Sequence, residues 1–257
     1  GKVQAARKAR VGAQASETNM PQPAGAAMAP VAAAAGLAPL LLVAALTGLS
    51  SFIYEIVWIR MLGLVLGSST HAFELMLSSF ILGLALGGYW IKSRIDHVPD
   101  MMRYLATVQI VMGVLAFATL PVYNEMFDLM AWFLRAMAKT DDGYVLFNLA
   151  SKLIAVLVMV PATFMAGMTL PLITYQLLRS PVGEKSIGYV YAANTSGAIV
   201  GVILTVHLLL PQLGLKGALI TGAIIDIALG WLLFVRYAGG KPDFAYRLLW
   251  SQDGAAT

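Results

Sequence analysis

Five ionisable side chains stand in stretches that are otherwise apolar: Glu55, Arg60, Glu74, Lys152 and Asp226. Charges are costly in such surroundings and persist there when they are paired, hydrogen-bonded or in use. Helical spacing groups them with other polar residues. Thr47, Ser51 and Glu55 repeat every four residues and so share one helix face, and Thr70, His71, Glu74 and Ser78 do the same further on. Asn148, Ser151 and Lys152 make a third polar patch. Asp226 shares its face with Gly222, Ala223 and Gly230, small residues that let another helix come close. The chemistry open to such a set is attraction of a cation by the acids, or pairing of acid with base to hold helices together.

The elements that must position these residues are set by composition. The 257 residues are 59% hydrophobic and 12% charged, with a mean hydropathy of +0.78. That balance fits a bilayer better than water. Six hydrophobic spans are predicted, at about 37–58, 69–91, 104–123, 145–178, 187–209 and 217–236, each near the roughly 20 residues that a crossing helix needs. The chain is thus expected to be an all-α polytopic membrane protein. Pro161, Gly167 and Pro171 predict a kink in the long fourth span, or a helix followed by a re-entrant half. Residues 1–35 are Ala-, Gly- and Pro-rich with four basic side chains and read as a disordered basic tail. Residues 36–237 form the membrane domain and 238–257 a linker. Met126, Leu129, Met130, Phe133, Leu134 and Met137 recur at helical spacing. They predict an amphipathic helix near 125–138, lying on the outer membrane surface or packed on its own spans. Asp141, Asp142 and Gly143 then supply turn chemistry.

With the N-terminus inside, twelve of the 17 Lys and Arg residues fall on the cytoplasmic side. Arg60, Arg135, Lys139 and Lys216 fall outside, and Lys152 lies within a span. The positive-inside rule therefore places both termini in the cytoplasm. In that orientation Glu55, Glu74, Lys152, His207 and Asp226 all belong to the outer half of the bilayer, with Arg60 near its outer surface. Two readings stay open. One is a polar cavity opening outward. The other is a set of structural ion pairs, Arg60 with Glu55 or Glu74 and Lys152 with Asp226.

Gly83 and Gly87 form one GxxxG motif, and Gly197 and Gly201 form another with Asn194 on the same face. All five are read as helix-packing positions. The chain has no cysteine, and its three histidines are scattered, so no metal site is expected. No nucleotide fingerprint, HExxH, GxSxG or Walker motif occurs, so no cofactor and no catalytic residue are expected within 1–257. The net charge of +4 is read as basic loops facing anionic lipid, with no nucleic-acid partner.

YEIVWIRMLGLVLGSSTHAF followed by FILGLALGG, then PATFMAGMTLPL, GYVYAANTSGAIVG and LLLPQLGLKG, resembles the membrane part of the bacterial fused MFS/spermidine synthase family. The resemblance runs over about residues 40–236, through positions such as Tyr54, Glu55, Trp58, Arg60, Gly83, Gly87, Pro161, Pro171, Asn194, Gly197 and Gly214. It implies a location in the bacterial cytoplasmic membrane and a spermidine synthase-like, aminopropyltransferase-like domain following Thr257. The expected function is then to anchor and serve that domain. Two alternatives stand beside it. One is a half-unit of a polyamine or cation transporter, with a second copy of the chain supplying the other half through a GxxxG face. The other is an accessory subunit of a larger membrane complex. The expected partners are the lipid bilayer, a second copy or other membrane subunits, and a polyamine.

Overall fold

The structure, a computed structural model, describes residues 25–66, 70–136, 141–180 and 183–238. These residues are almost wholly helical and contain no strand. The helices are α1 (Gly25–Leu66), α2 (Thr70–Lys92), α3 (Met101–Ala136), α4 (Asp141–Leu178), α5 (Lys185–Leu204) and α6 (Leu210–Ala238). A 3-10 turn, Ile95–His97, precedes α3, and a π-helical turn, Thr205–Leu209, joins α5 to α6. The described residues divide into two units, with the boundary between Ala38 and Pro39. Of the first, only the helical stretch 25–38 is described. Residues 25–35, expected as tail, are thus the first turns of α1, where an Ala-rich run favours the helix. Most of the expected tail, 1–24, and of the linker, 239–257, lie outside the described residues.

Five stretches are long and apolar enough to cross a membrane: Leu37–Leu66, Ala72–Lys92, Met101–Tyr123, Leu149–Leu178 and Lys185–Tyr237. The last has 53 residues. At 1.5 Å per residue it would reach about 80 Å as one straight helix, against a hydrocarbon core of about 30 Å. It is not straight. Gly214 inside α6 has φ 68° and ψ −174°, a region open essentially to glycine alone. Pro211, three residues earlier, lacks the N–H that would continue the ladder. Nothing lies within 4 Å of a Cβ built at Gly214, so the constraint there is the backbone and not space. Gly214→Ala is expected to destabilise the chain by about 1–3 kcal/mol, read as a lower thermal midpoint in detergent. An unchanged midpoint would show that the break does not depend on glycine.

Side-chain pairings fix the direction of each helix. Across α1 and α5, Ala45 faces Gly197 and Leu49 faces Gly201, so these two run parallel. Across α1 and α6, Ser50 meets Asp226 and Tyr54 meets Gly222, so these run antiparallel. Thr47 pairs with Gln109 and Trp58 with Thr119, which makes α1 and α3 parallel. Gly113 faces Ala223 and Gly230 faces Ala106, which makes α3 and α6 antiparallel. In the other half, Gly83 approaches Val160 and Thr163, Gly87 approaches Phe164, and α2 and α4 run parallel. The chain therefore reverses between 201 and 222, where Gly214 lies.

Prolines do not end these helices. Pro121 lies inside α3, and Pro161 and Pro171 lie inside α4, which is a single helix of 38 residues. The expected re-entrant half is not formed. Packed neighbours and Ser/Thr side chains can satisfy the backbone groups that a proline frees. The carbonyls that Pro161 and Pro171 free are those of Leu157 and Gly167, four residues earlier, and the Thr163 hydroxyl beside them contacts instead the Met159 carbonyl at 2.8 Å and the Val160 carbonyl at 3.3 Å. Nor is the stretch at 125–138 a separate surface helix. Its described part continues α3, and Met126 and Met130 are buried in the main apolar core. The side chains of Phe133 and Leu134, and residue Met137, lie outside the described set. Asp141, Asp142 and Gly143 begin α4 and do not form a turn.

That core gathers Ile53, Val57, Trp58, Met61 and Leu62 of α1 with Met76 and Phe80 of α2, Met112 and Ala116 of α3, Ile154 and Met159 of α4 and Leu219 of α6. Around the α2–α3 connection, the Tyr175 hydroxyl donates to Asp96 Oδ1 at 2.6 Å, and the Arg179 guanidinium donates to the Tyr175 hydroxyl. Asp100 accepts from the Arg103 N–H at 3.0 Å and pairs with its guanidinium at 3.1 Å, anchoring the start of α3.

Candidate functional site: a polar seam along the first helix

The polar face of α1 that meets other helices is one residue out of step with the spacing read from the sequence. Ser51 and Glu55 are only half-buried, and Arg60 is exposed. Thr47, Ser50, Tyr54 and Trp58 are the buried positions, at intervals of three, four and four. They line one stripe of the helix and face α3 and α6.

Asp226 is the acid that this stripe encloses, at 0% exposure. Ser50 Oγ meets Asp226 Oδ1 at 2.6 Å, and the Tyr54 hydroxyl meets Oδ2 at 2.6 Å. Ser50 Oγ also lies 3.1 Å from the Thr47 carbonyl. On the α3 side, Gln109 Nε2 donates to Thr47 Oγ1. Further along, Trp58 Nε1–H donates to Thr119 Oγ1 at 3.2 Å, and the Thr119 hydroxyl donates to the Ala116 carbonyl at 2.6 Å. Tyr54 and Trp58 stack with ring centroids 5.3 Å apart. Gly222 makes room for Tyr54, since a Cβ there would sit 2.7 Å from its ring. Among the described residues, Gln109 Oε1 and Ser151 Oγ are buried without a hydrogen-bond partner.

The expected intramembrane cluster is therefore not one site. Asp226 is enclosed by hydroxyls, whereas Lys152 and Glu74 are exposed, and among the described residues no ion pair joins Lys152 to Asp226 or Arg60 to Glu55. Lys152 follows the buried Ser151, and one step of about 100° along the helix turns it away from the core. Lys152→Gln is accordingly expected to shift stability by no more than about 0.5 kcal/mol. Breaking a buried pair with Asp226 would instead cost roughly 3–5 kcal/mol. A thermal melt of the variant in detergent distinguishes the two.

The five packing positions lie between helices of the same chain. A Cβ on Gly83 would meet Thr163 Oγ1, one on Gly87 the Phe164 carbonyl, one on Gly197 the Ala45 carbonyl and one on Gly201 the Leu49 carbonyl. Asn194 stands against Gly48, whose own Cβ would reach the Asn194 carbonyl at 2.2 Å. Both GxxxG faces are thus occupied within one copy, and a dimer would need another surface. The residues that sequence reasoning missed are Ser50, Tyr54, Gln109 and Thr119. A signal was available: Thr47, Ser50, Tyr54 and Trp58 carry donors at i, i+3, i+7 and i+11, the period of one helix stripe.

No protein-family model matches the chain, and no curated protein or solved structure matches it either. What the fold defines is a protein with several helices long and apolar enough to lie in a membrane, joined by buried interhelical hydrogen bonds.

Proposed function

We propose that the chain is a membrane-embedded domain of six crossings with both termini in the cytoplasm, and that it anchors a cytoplasmic spermidine synthase-like domain. The observation that carries this reading over a transporter half-unit is the state of Asp226. Its carboxyl is fully enclosed and engaged by Ser50 and Tyr54, while Glu74 and Lys152 face outward. An acidic cavity for a polycation needs these groups to share one accessible space. A buried acid bonded across helices is instead a fastening. The six crossings are supported by the helix directions: α1, α3 and α5 run one way and α6 the other, with Gly214 at the reversal. An even number of crossings returns the chain to the side that carries most Lys and Arg. The synthase-like partner domain and the bacterial cytoplasmic membrane rest on the resemblance of residues 40–236.

Because the chain has no cysteine, topology is testable with single introduced thiols. A membrane-impermeant maleimide applied to intact cells should label cysteine at Lys139 or Gln212 and spare cysteine at Lys2 or Asp253. Labelling of Asp253→Cys from outside would overturn the topology. The anchoring role is tested by the reading frame after Thr257 and by aminopropyl transfer in membranes. That activity should survive Glu55→Gln, and a frame ending at Thr257 would remove this reading.

A further inference from the structure

The geometry points to Asp226 as a bound-proton site: the carboxyl is held inside the bundle as the neutral acid, with its proton placed between Asp226 Oδ1 and Ser50 Oγ. The inference goes beyond anchoring and rests only on the helices lying in a membrane. Its first ground is charge. Asp226 has 0% exposure, and among the described residues no cation pairs with it. An ionised carboxylate so enclosed would cost several kcal/mol unless paired. The charged and titratable groups nearby do not meet that need. From α1 the group that bonds it is the neutral Tyr54 hydroxyl. From α3 the Ile110 side chain and the Ala106 backbone stand against Gly230, one turn along α6 from Asp226, and neither residue ionises. On α6 itself, Lys216 and Arg236 are exposed and stand far along the helix on either side.

The second ground is a count of hydrogens. Three oxygen–oxygen contacts converge here: Tyr54 with Asp226 Oδ2, Ser50 with Asp226 Oδ1, and Ser50 with the Thr47 carbonyl. Tyr54 brings one hydrogen and Ser50 brings one. An ionised Asp226 leaves three contacts for two hydrogens, and Ser50 must choose between two acceptors. A protonated Asp226 fills all three. Tyr54 donates to Oδ2, Oδ1–H donates to Ser50 Oγ, and the Ser50 hydrogen goes to the Thr47 carbonyl. The Thr47 hydroxyl, a different atom from the carbonyl that Ser50 meets, accepts from Gln109 of α3, whose amide keeps one end unpartnered whichever way it is turned. The proton thus completes the hydrogen bonds between Asp226 of α6 and the Ser50 and Tyr54 hydroxyls of α1.

The test is infrared difference spectroscopy on the full chain in lipid nanodiscs at neutral pH, wild type minus Asp226→Asn. The expected result is a protonated-carboxyl C=O band in the wild type that the variant lacks. A difference confined to carboxylate bands overturns the proposal. If Asp226→Asn does not fold, Ser50→Ala decides. A frequency shift within the protonated-carboxyl region supports the proposal, and a shift only among carboxylate bands overturns it. Neither outcome depends on the maleimide pattern or on aminopropyl transfer, so this inference and the anchoring reading can fail separately.

Discussion

Gly197→Val is expected to cost about 3 kcal/mol or more, at the top of the range for overpacking, and to lower the yield of folded protein sharply. A Cβ at Gly197 would stand 1.8 Å from the Ala45 carbonyl oxygen, and 2.6 and 2.8 Å from the carbon atoms beside it. These are backbone atoms of α1, so no rotamer change can relieve the clash. The two helices must separate, and Gly201 against Leu49 would lose its contact with them. Gly188 on the same helix is the internal control. Nothing lies within 4 Å of a Cβ built there, and Gly188 is exposed. Gly188→Ala should therefore leave the packing intact and stabilise α5 by up to about 1 kcal/mol through helix propensity. Thermal melts of both variants in the same detergent check the pair. Equal effects would mean that α5 does not pack on α1 through Gly197.

Trp58→Ala is expected to destabilise the chain by roughly 3–5 kcal/mol, the usual cost of removing a buried large aromatic. Trp58 is 1% exposed and belongs to the main core. It also stacks on Tyr54 and donates to Thr119. Trp58→Phe should recover much of the packing and leave Thr119 without its donor. A smaller loss for phenylalanine than for alanine, measured in one melt series, supports this division. Equal losses would place the weight on the hydrogen bond instead.

Much of the architecture was legible because membranes simplify the code. Apolar runs near the length of a bilayer crossing stand out, and Gly222, Ala223 and Gly230 marked the face of α6 that meets other helices. Rotation about each helix axis was harder to read. Thr47, Ser51 and Glu55 form a regular polar row, but in the structure Ser50 and Tyr54 take the inside and Glu55 is half-exposed. A charge draws the eye, whereas tyrosine and tryptophan look like bulk apolar surface until their donors find partners. Lys152 misled for a related reason. An apolar neighbourhood in sequence includes residues destined for lipid as well as for protein, and Leu149, Leu153 and Leu157 beside it are exposed. Pro161 and Pro171 predicted a kink or a re-entrant half because sequence shows the missing N–H but not the packing that holds the helix together.

The fastening between Ser50 and Asp226 joins positions 176 residues apart. At a synthesis rate of about 5–20 residues per second, α1 enters the bilayer on the order of ten to thirty-five seconds before α6 exists. Through that interval the hydroxyls of Thr47, Ser50 and Tyr54 have no Asp226 to meet. Ser50 can lean on the Thr47 carbonyl of its own helix meanwhile, as its 3.1 Å contact shows. Tyr54 can stack on Trp58 of its own helix, but its hydroxyl must wait in lipid or at the interface. The last helix made therefore closes the assembly around the first. A nascent chain cut short of α6 would leave a sticky polar stripe exposed in the membrane, a ready mark for quality-control proteases to recognise.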